Sequence, residues 1–293
     1  MKPRRMLVTG AAGMVGRYVP EVFPDLELIL TDHGHGYPLL DIRDEQAVMA
    51  FTRGSKPDVV LHLAAATDVD RCEQEPAWAE ESNAVGTRNV ALACKEVGVR
   101  MIHVSTGAVF WGDKPEPYIE EDDPRPFNVY GRSKLAGEQQ VQQLLPDGLI
   151  VRAGWMFGGE ERDKKFVGKM VRLIRERDSL QVVDDKWGTP TYAKDFLEGI
   201  RSLIERDRQG LYHLGNDGCC TRYEIALHLK EILGQSKVQI LPVSSDHFPL
   251  PAPRGRQEGI ANLRLKREGQ SPMRPWKEAM TEYLQLEWAM VSG

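Results

Sequence analysis

The sequence predicts an α/β protein in which a doubly wound parallel sheet carries a smaller, discontinuous C-terminal lobe. Short apolar runs of strand length alternate with segments of helical periodicity along most of the 293 residues. This alternation is typical of a parallel sheet that is covered by helices on both faces. A glycine-rich segment, TGAAGMVG at residues 9–16, separates the first apolar run from the first helical one. Together these observations predict a ligand site at the first strand–helix turn.

The composition excludes several classes of partner. Hydrophobic residues make up 41% of the chain and charged residues 28%, which is ordinary for a globular protein. The formal net charge of -5 provides no basic field that would favour nucleic acid, and no apolar run approaches the roughly 20 residues that cross a bilayer. We therefore expect a cytoplasmic protein without a nucleic-acid or membrane partner. We also expect no bound metal, because no metal-ligand spacing is found among the histidines or among the cysteines Cys72, Cys94, Cys219 and Cys220.

The glycine-rich segment has the context that dinucleotide-binding loops require. A short apolar run, residues 6–8, precedes it, and a helical pattern follows it. Gly10 permits a tight turn, Gly13 lets the backbone approach a pyrophosphate, and Gly16 allows the helix to pack closely on the strand. Amide groups at the start of the helix can then donate to phosphate oxygens. The motif predicts a Rossmann site for NAD(H) or NADP(H).

The second predicted strand, residues 26–31, is followed by Asp32. An acidic residue about 20 positions after such glycines accepts hydrogen bonds from the adenine ribose of NAD and repels the 2′-phosphate of NADP. Asp32 therefore favours NAD(H), unless it only caps a loop. Asp41 and Ile42 follow at positions suited to an adenine ring, one at its amino group and the other against its face. Asp44 is suited to cap the next helix, residues 45–53.

Residues 57–66, PDVVLHLAAA, predict a third buried strand that ends in small residues. The carboxyl ends of parallel strands are where α/β proteins bind ligands, and Ala64 and Ala65 leave room there for a cofactor. A long helix is expected over residues 78–97. Asn83 lies on a polar stretch of this helix, where it either braces the active site or faces water.

The fourth predicted strand, residues 100–106, ends in two hydroxyl side chains, Ser105 and Thr106. A hydroxyl at this edge can hydrogen-bond a substrate carbonyl and share a proton path with Tyr130. The alternative is that both hydroxyls satisfy backbone groups at the end of the strand. Residues 112–126, rich in glycine, proline and acidic side chains, predict a loop that leads to the next helix.

Residues 128–138, NVYGRSKLAGE, predict a helix with Tyr130 and Lys134 on one face. A neighbouring ammonium favours the phenolate, so we expect Lys134 to lower the pKa of Tyr130 from its ordinary value of about 10. Such a phenol can protonate an alkoxide as it forms. The alternative is a half-buried tyrosine beside a solvated lysine. With the glycine loop, the pair predicts hydride transfer from a nicotinamide cofactor, with Thr106 orienting a carbonyl and Lys134 also holding the nicotinamide ribose.

The later segments complete the sheet and form a second lobe. Residues 149–158 predict a fifth strand, and Trp155 near its end is placed to contact substrate or to fill the core. A last strand is expected at residues 210–216, and further helical patterns cover residues 164–177, 189–196, 221–233 and 275–287. We expect a dinucleotide-binding domain over residues 1–154, rejoined by residues 189–214, and a mostly substrate-binding lobe over residues 155–293.

Four segments resemble the extended short-chain dehydrogenases/reductases: residues 63–70, 104–110, 128–138 and 187–192. The resemblance runs through nearly the whole chain, and residues 128–138 are its most specific part. Within this family the chain is most similar to reductases of nucleotide-linked sugars. The resemblance implies NAD(P)H-dependent reduction of the 4-keto group of a nucleotide-linked 6-deoxy sugar, and it allows a homodimer.

The resemblance also implies roles for individual residues. The catalytic positions match Thr106, Tyr130 and Lys134, and Trp155 matches a substrate contact, to which we add Asn83. The matching cofactor contacts are Gly10, Gly13, Met14, Val15, Asp41, Ile42, Ala64 and Ala65. We add as expected cofactor contacts Gly16, Asp32, Leu63, Ser105, Tyr130 and Lys134.

Two departures from the family pattern bear on the substrate. Gly107 and Ala108 stand where the family commonly has Asp-Tyr, and we expect the loss of both side chains to enlarge or reshape the pocket. The C-terminal segment that would face the nucleotide reads Arg254-Gly-Arg256, with Asn262 further on. Two other functions therefore stay open, namely a sugar-nucleotide epimerase or dehydratase and a non-catalytic regulatory subunit similar to that of methionine adenosyltransferase.

Overall fold

The computed structural model describes residues 4–34, 36–270 and 273–288. The strands are β1 Arg5–Thr9, β2 Glu27–Thr31, β3 Val59–His62, β4 Arg100–Thr106, β5 Leu149–Ala153, β6 Trp155–Phe157, β7 Ser179–Val183, β8 Trp187–Gly188, β9 Pro190–Tyr192, β10 Gly210–Leu214, β11 Cys220–Thr221 and β12 Gln239–Val243. The helices are α1 Val19–Val22, α2 Glu45–Ser55, α3 Val69–Gln74, α4 Pro76–Glu80, α5 Gly86–Val97, α6 Val129–Leu144, α7 Phe166–Glu176, α8 Ala193–Glu205, α9 Arg222–Ile232, α10 Leu263–Arg267 and α11 Trp276–Tyr283. A π-helical turn, Glu81–Val85, joins α4 to α5, and another, Leu284–Trp288, follows α11.

Six parallel strands form the central sheet, in the order β10-β5-β4-β3-β1-β2. The chain moves outward from β1 to β2 and then returns to build the other half of the sheet from β3. The switch in direction therefore lies between β1 and β3, where Thr9 is paired with His62. Ligands of open α/β sheets bind at the carboxyl edge beside such a switch. The predicted doubly wound parallel fold is confirmed.

Alternation along the strands explains why both faces of the sheet are covered. In β1, Met6 and Val8 belong to one buried cluster, whereas Leu7 belongs to another. In β3 and β4, Leu61 and Ile102 share the first cluster, and their neighbours pack in the second. Because successive side chains of a strand point to opposite faces, these continuous apolar runs require helices on both sides.

The fifth predicted strand is interrupted, which is a correction. β5 ends at Ala153, and Trp155 begins a separate strand, β6, that pairs with β9. Gly154 lies at the break, where a Cβ atom would stand 2.2 Å from the carbonyl oxygen of Thr189. This close approach of the β9 region draws the chain away from the sheet and carries Trp155 out over its carboxyl edge.

The predicted helix over residues 78–97 begins earlier, at Pro76, and contains the π-helical turn Glu81–Val85. The predicted N-cap Asp44 is confirmed, since it accepts from the amide of Ala47, and Thr221 forms a capping box with Glu224 at the start of α9. β10 lies within residues 189–214 and joins the central sheet beside β5. The residue boundaries of the two expected domains stay a prediction.

None of the helices in the described part of the chain combines the length and apolar character that crossing a bilayer requires.

Candidate active site

The glycine loop follows β1 at the switch point. Gly10 has φ +75, and a Cβ atom on it would lie 2.6 Å from the amide nitrogen of Ala64. Gly16 is equally restricted, since its Cβ atom would lie 2.3 Å from the carbonyl oxygen of Ala11. Both contacts are with backbone atoms, which cannot move aside as a flexible side chain can. Glycine is therefore required at both positions by the turn and by the packing of the chain that follows it.

The loop offers hydrogen-bond donors to a ligand. The amides of Ala12 and Gly13 are engaged by Asp32 and by the carbonyl of Gly10. Within the described residues, the amides of Met14 and Val15 have no acceptor, and both residues are partly exposed. Exposed amides in a glycine-rich turn are the donors that phosphate oxygens take. The loop therefore fits the pyrophosphate of a dinucleotide, and the individual contacts stay predictions.

Asp32 is buried beneath this loop. Its carboxylate accepts hydrogen bonds from the amides of Ala12 at 2.9 Å and Gly34 at 3.0 Å, and it lies 3.1 Å from Nδ1 of His33. The side chain thus fixes the shape of the glycine loop, in addition to any contact with a ribose. Because two amides and an imidazole face this carboxylate, its charge repels a neighbouring phosphate less than a free carboxylate would.

The segment after β2 brings a cation to the expected adenosine site. Arg43 donates from Nη2 to Oδ2 of Asp41 at 2.6 Å and from Nε to Oδ1 at 2.9 Å. This pairing lowers the pKa of Asp41. Ile42 is buried, and a Cβ atom on Gly86 would meet it at 2.6 Å. Most of the Ile42 side chain therefore serves packing against α5, and its contact with an adenine ring stays a prediction.

The end of β3 lies against the glycine loop, as the sequence predicts for small residues at this edge. The amide of Leu63 donates to the carbonyl of Thr9, and Ala64 contacts Gly10. Leu63, Ala64 and Ala65 each keep part of their surface exposed. These three residues therefore line the edge of the sheet directly beside the proposed cofactor site.

Asn83 is fully buried in the π-helical turn, and its contact with a substrate stays a prediction. Its amide oxygen accepts from the backbone nitrogen of Ala66 at 2.8 Å, and its amide nitrogen donates to the carbonyl of Ala66 and to Oγ of Ser133 at 2.9 Å. The expected bracing role is the one that these bonds support. Asn83 ties the chain after β3 to α6, the helix that carries Tyr130.

Ser105 also departs from its prediction as a cofactor contact. Its hydroxyl is buried and donates to Glu138 at 2.5 Å. Glu138 in turn accepts two hydrogen bonds from Arg152, whose side chain is 2% exposed. Since successive residues of β4 point to opposite faces, Ser105 anchors α6 to the sheet while Thr106 faces the other way.

Three features hold the start of α6 in place. Asn128 caps the helix by accepting from the amide of Gly131 at 2.8 Å. A Cβ atom at Gly131 would lie 2.2 Å from the carbonyl oxygen of Ala108, so glycine allows the helix to touch the turn after β4. The amide of Val129 donates to Glu73 on α3. The first turn of α6, which carries Tyr130, is therefore fixed against both neighbouring elements.

Lys134 is buried, with its ammonium bound to the carbonyl of Val104 at 2.8 Å. Burial lowers the pKa of Lys134 to about 8, while the charge of Glu138 opposes that shift. A solvated surface lysine, the alternative interpretation, is excluded by this environment. Because Val104 lies in β4, the ammonium is held under the same strand end that carries Thr106.

Tyr130 has a higher pKa than the sequence predicts. Dense packing raises the pKa of its phenol to about 12, although Thr106 lies close enough for its hydroxyl to favour the phenolate. The expected lowering by Lys134 is therefore wrong in this structure, since the desolvation of the phenol outweighs any nearby charge. At neutral pH the phenol keeps its proton. Thr106 accepts from the amide of Ala108 at 3.1 Å, which leaves its hydroxyl hydrogen free to donate.

Of the two changes expected at Gly107, enlargement or reshaping of the pocket, the structure favours reshaping. A Cβ atom on Gly107 would lie 3.0 Å from Ile260 and 3.2 Å from the carbonyl oxygen of Glu258. The C-terminal segment therefore packs directly onto this glycine and takes the space that a side chain would use. The same segment brings Glu258 to Trp155, whose indole nitrogen donates to its carboxylate at 2.8 Å.

Sequence reasoning missed Glu258 because its partners are remote in the chain. Trp155 is 103 positions away, and the charge of Glu258 also raises the pKa of Tyr130. No spacing rule relates these residues. The packing of the C-terminal segment on Gly107 alone brings a carboxylate close to the phenol and the tryptophan.

Within the part of the chain that the structure describes, no three His, Cys, Asp or Glu side chains converge to hold a metal ion. The substrate role of Trp155 stays a prediction. Arg254, expected near the nucleotide, donates to Asp70 at 3.0 Å and to the carbonyl of Ala252.

A glycine loop at the switch point of a parallel sheet, with a fixed tyrosine and a buried lysine on the neighbouring helix, defines an extended short-chain dehydrogenase/reductase. The chain belongs to the family described as RmlD substrate binding domain, whose model matches residues 4–288. The resemblance inferred from the sequence motifs is confirmed by this match.

Several named relatives are similar to this chain over most of its length. A protein of Mycolicibacterium smegmatis named dTDP-4-dehydrorhamnose reductase is 37% identical, over 95% of this chain and 84% of the relative. A Streptomyces niveus protein named dTDP-4-keto-6-deoxy-D-glucose reductase is 36% identical, over 95% of this chain and 96% of the relative. The crystal structure of dTDP-4-dehydrorhamnose reductase from Bacillus anthracis, in complex with NADP, superposes with a TM-score of 0.91 at 36% identity, covering 97% of this chain and 99% of that one.

Proposed function

We propose that this chain is an NAD(P)H-dependent reductase of the 4-keto group of a dTDP-linked 6-deoxy sugar, as in dTDP-4-dehydrorhamnose reductase. The relatives that carry such names match nearly the whole chain. The single observation that supports catalysis most strongly is the arrangement at the edge of β4. There Thr106, a protonated Tyr130 and a buried Lys134 come together at the carboxyl edge of the parallel sheet, the edge that also carries the glycine loop.

The residues divide the work of reduction among them. When bound, the reduced nicotinamide supplies a hydride to the carbonyl carbon of the sugar. Tyr130 gives its phenolic proton to the carbonyl oxygen, so that the two additions complete an alcohol. Thr106 orients that oxygen by hydrogen bonding, and the charge of Lys134 stabilises the phenolate that remains. A phenol that keeps its proton at neutral pH is the form that this direction of reaction needs.

In this proposal the cofactor is held by the glycine loop after β1, by residues that follow β2 and β3, and by Tyr130 and Lys134 of α6. The amides of Met14 and Val15 take the pyrophosphate, and the backbone after β3 lies beside the nicotinamide half. The full set of proposed contacts is Gly10, Gly13, Met14, Val15, Gly16, Asp32, Asp41, Ile42, Leu63, Ala64, Ala65, Tyr130 and Lys134.

We further propose that both NADH and NADPH are accepted, although Asp32 by itself favours NAD(H). Two backbone amides and His33 partly neutralise the Asp32 carboxylate. Arg43 stands close by, paired with Asp41, and its guanidinium can turn to a 2′-phosphate. The related structure from Bacillus anthracis was solved with NADP.

The proposal is tested by incubating the purified protein with dTDP-4-dehydro-6-deoxy sugar and with NADH or NADPH in turn. We expect the absorbance of the reduced cofactor to fall in proportion to the sugar added, and a new hydroxyl to appear at C4 in the product. An epimerase or dehydratase would change the sugar without net consumption of cofactor. A regulatory subunit would bind the cofactor and leave both compounds unchanged.

A further inference from the structure

Trp155 stands at the mouth of the proposed site in a fixed orientation. Its indole nitrogen is bound to Glu258 at 2.8 Å. Its ring packs on the backbone of Gly188, where a Cβ atom would stand 2.2 Å from the nearest ring carbon. A tryptophan held at its nitrogen and against a glycine cannot change rotamer freely, so whatever rests on its ring also has a defined place.

Arg222, the first residue of α9, rests on that ring. Its guanidinium carbon lies 3.7 Å from the centre of the Trp155 ring and 4.8 Å from the centre of the Phe166 ring. No hydrogen bond or ion pair joins the guanidinium to another side chain or carbonyl among residues 4–34, 36–270 and 273–288. The side chain is partly exposed, so its donors are available to a ligand.

The neighbours of Arg222 are charged but occupied. Lys165 donates to the carbonyl of Thr67, and Arg254 is paired with Asp70. Glu258 lies near enough for its charge to favour the charged form of Arg222, and one of its two carboxylate oxygens accepts from Trp155. Burial lowers the pKa of Arg222 to about 10, so the guanidinium is still charged at neutral pH.

We propose that Arg222 binds the diphosphate of the nucleotide-linked substrate. The donors of a guanidinium can match two phosphate oxygens at once, and in the described part of the chain no hydrogen bond or ion pair engages the donors of Arg222. Because Trp155 and Phe166 already hold the side chain, little rotamer freedom is lost when the ligand binds. Arg222 rests on Trp155, Trp155 is bound to Glu258, and the carbonyl oxygen of Glu258 packs on Gly107, the residue after Thr106. The sugar would therefore lie towards Thr106 and Tyr130, with its diphosphate against Arg222.

This inference deepens the proposed function and rests on it for the identity of the sugar. The test uses two variants, Arg222→Gln and Arg222→Lys, and titrates each with dTDP and with NADPH. We expect the dissociation constant for dTDP to rise at least about tenfold in Arg222→Gln and several-fold in Arg222→Lys, which keeps the charge but not the paired donors. The affinity for NADPH should not change in either variant.

Arg175→Gln is the matched control, because Arg175 also rests on a tryptophan. Its guanidinium carbon lies 5.6 Å from the centre of the Trp288 ring. Arg175 is near the end of α7, whereas Phe166 begins that helix. This variant should bind dTDP as the wild type does. In the reductase assay, Arg222→Gln should raise the KM for the sugar nucleotide with little change in kcat, since the diphosphate does not react.

The inference is overturned if both Arg222 variants bind dTDP with the affinity of the wild type, even if Arg222→Gln melts at a lower temperature. Such a result would assign Arg222 only to the packing of α9 on Trp155. The binding experiment does not depend on turnover. A wild type that binds dTDP through Arg222 but reduces no keto sugar would therefore contradict the proposed function and leave this inference standing.

Discussion

Single residues decide the chemistry of this site through their surroundings. Tyr130 and Lys134 are four positions apart, and spacing alone predicts a cation that lowers the pKa of a phenol. The structure instead raises the pKa of Tyr130 to about 12 and lowers the pKa of Lys134 to about 8, in both cases through burial. Desolvation thus keeps a proton on Tyr130, which is the form that the proposed role as proton donor requires.

We expect single side chains to set the choice of cofactor as well. Replacing Arg43 by alanine removes a cation that we propose to bind a 2′-phosphate, and it leaves Asp41 without this ion pair. We expect the KM for NADPH to rise by about tenfold, because a 2′-phosphate loses its partner, while the KM for NADH stays nearly unchanged. Steady-state kinetics with each cofactor measure this ratio. An equal change for both cofactors would show that Arg43 does not read the 2′-phosphate.

The buried pair of Glu138 and Arg152 is expected to carry much of the stability beneath the site. Glu138→Gln leaves the Arg152 charge buried without its counter-ion, and we expect a loss of about 3–5 kcal/mol in the free energy of unfolding. Urea denaturation measures the difference.

The matched control for this pair is Glu75→Gln, which breaks an exposed pair with Arg71. Exposed pairs contribute little to stability because water and salt screen their attraction, so this variant should unfold almost as the wild type does. If Glu138→Gln cost no more than Glu75→Gln, the buried network would not be what holds α6 to the sheet.

At the scale of elements, close backbone contacts set the positions of the loop and of α6. The glycine loop touches the end of β3, and α6 touches both the turn after β4 and the π-helical turn. At Gly137, for example, a Cβ atom would stand 2.5 Å from the carbonyl oxygen of Asn83. These contacts require small residues at fixed places, and each residue lies in a short motif that the sequence displays.

The glycine loop supplies a prediction at this scale. Gly10→Ala forces a side chain into a backbone with φ +75 and places its Cβ atom 2.6 Å from the amide nitrogen of Ala64. We expect the loop to shift and the affinity for NADPH to fall by at least about tenfold. Isothermal titration with NADPH measures the change.

Gly54→Ala is the control for this loop variant, since nothing lies within 4 Å of its Cβ position in α2. Helix propensity there favours alanine by about 1 kcal/mol, so the control should be at least as stable as the wild type and bind NADPH equally. Unchanged affinity in Gly10→Ala would mean that the loop does not cradle the cofactor.

The elements also show why part of the site could be predicted and part could not. The sheet, the glycine loop and the Tyr130–Lys134 pair follow from local periodicity and short spacing. Glu258 and Arg222 reach Trp155 only through tertiary packing, from 103 and 67 positions away in the sequence. The form of the pocket at Gly107 could not be predicted for the same reason, because the segment that packs on this glycine lies far along the chain.

At the scale of the whole molecule, neutral histidines in the core link stability to pH. His62 and His103 are stacked and fully buried, and both ring nitrogens of His103 lack partners within the described residues. Burial lowers the pKa of His62 and of His213 to about 3 and lowers that of His103 well below its ordinary value of 6.5. The folded state therefore resists protonation at all three positions.

This linkage predicts acid lability. Above about pH 6.5 these histidines are neutral in both the folded and the unfolded chain, so they do not change the free energy of unfolding. As the pH falls below 6.5, the unfolded chain binds protons that the folded chain excludes, so each histidine lowers the free energy of unfolding by about 1.4 kcal/mol per pH unit. Urea unfolding at a series of pH values between 7 and 5 should show the slope.

Replacing His103 by leucine should make the dependence of the unfolding free energy on pH less steep by the contribution of one histidine, because leucine binds no proton. Gly54→Ala is the control, since it changes no titratable group and its slope should equal that of the wild type. A slope that is identical in His103→Leu and the wild type would place the origin of any acid lability elsewhere.

The fold brings the loop after β1, the end of β4 and the first turn of α6 to one edge of the sheet. The central claim is that Tyr130 is the proton donor at this edge. The most direct test compares cofactor oxidation by the wild type, Tyr130→Phe and the remote control Tyr212→Phe, whose hydroxyl bonds to Glu268. With dTDP-4-dehydro-6-deoxy sugar and NADPH, we expect Tyr130→Phe to lose at least about 100-fold in kcat while it binds NADPH normally, and Tyr212→Phe to stay active. Full activity in Tyr130→Phe would contradict the account.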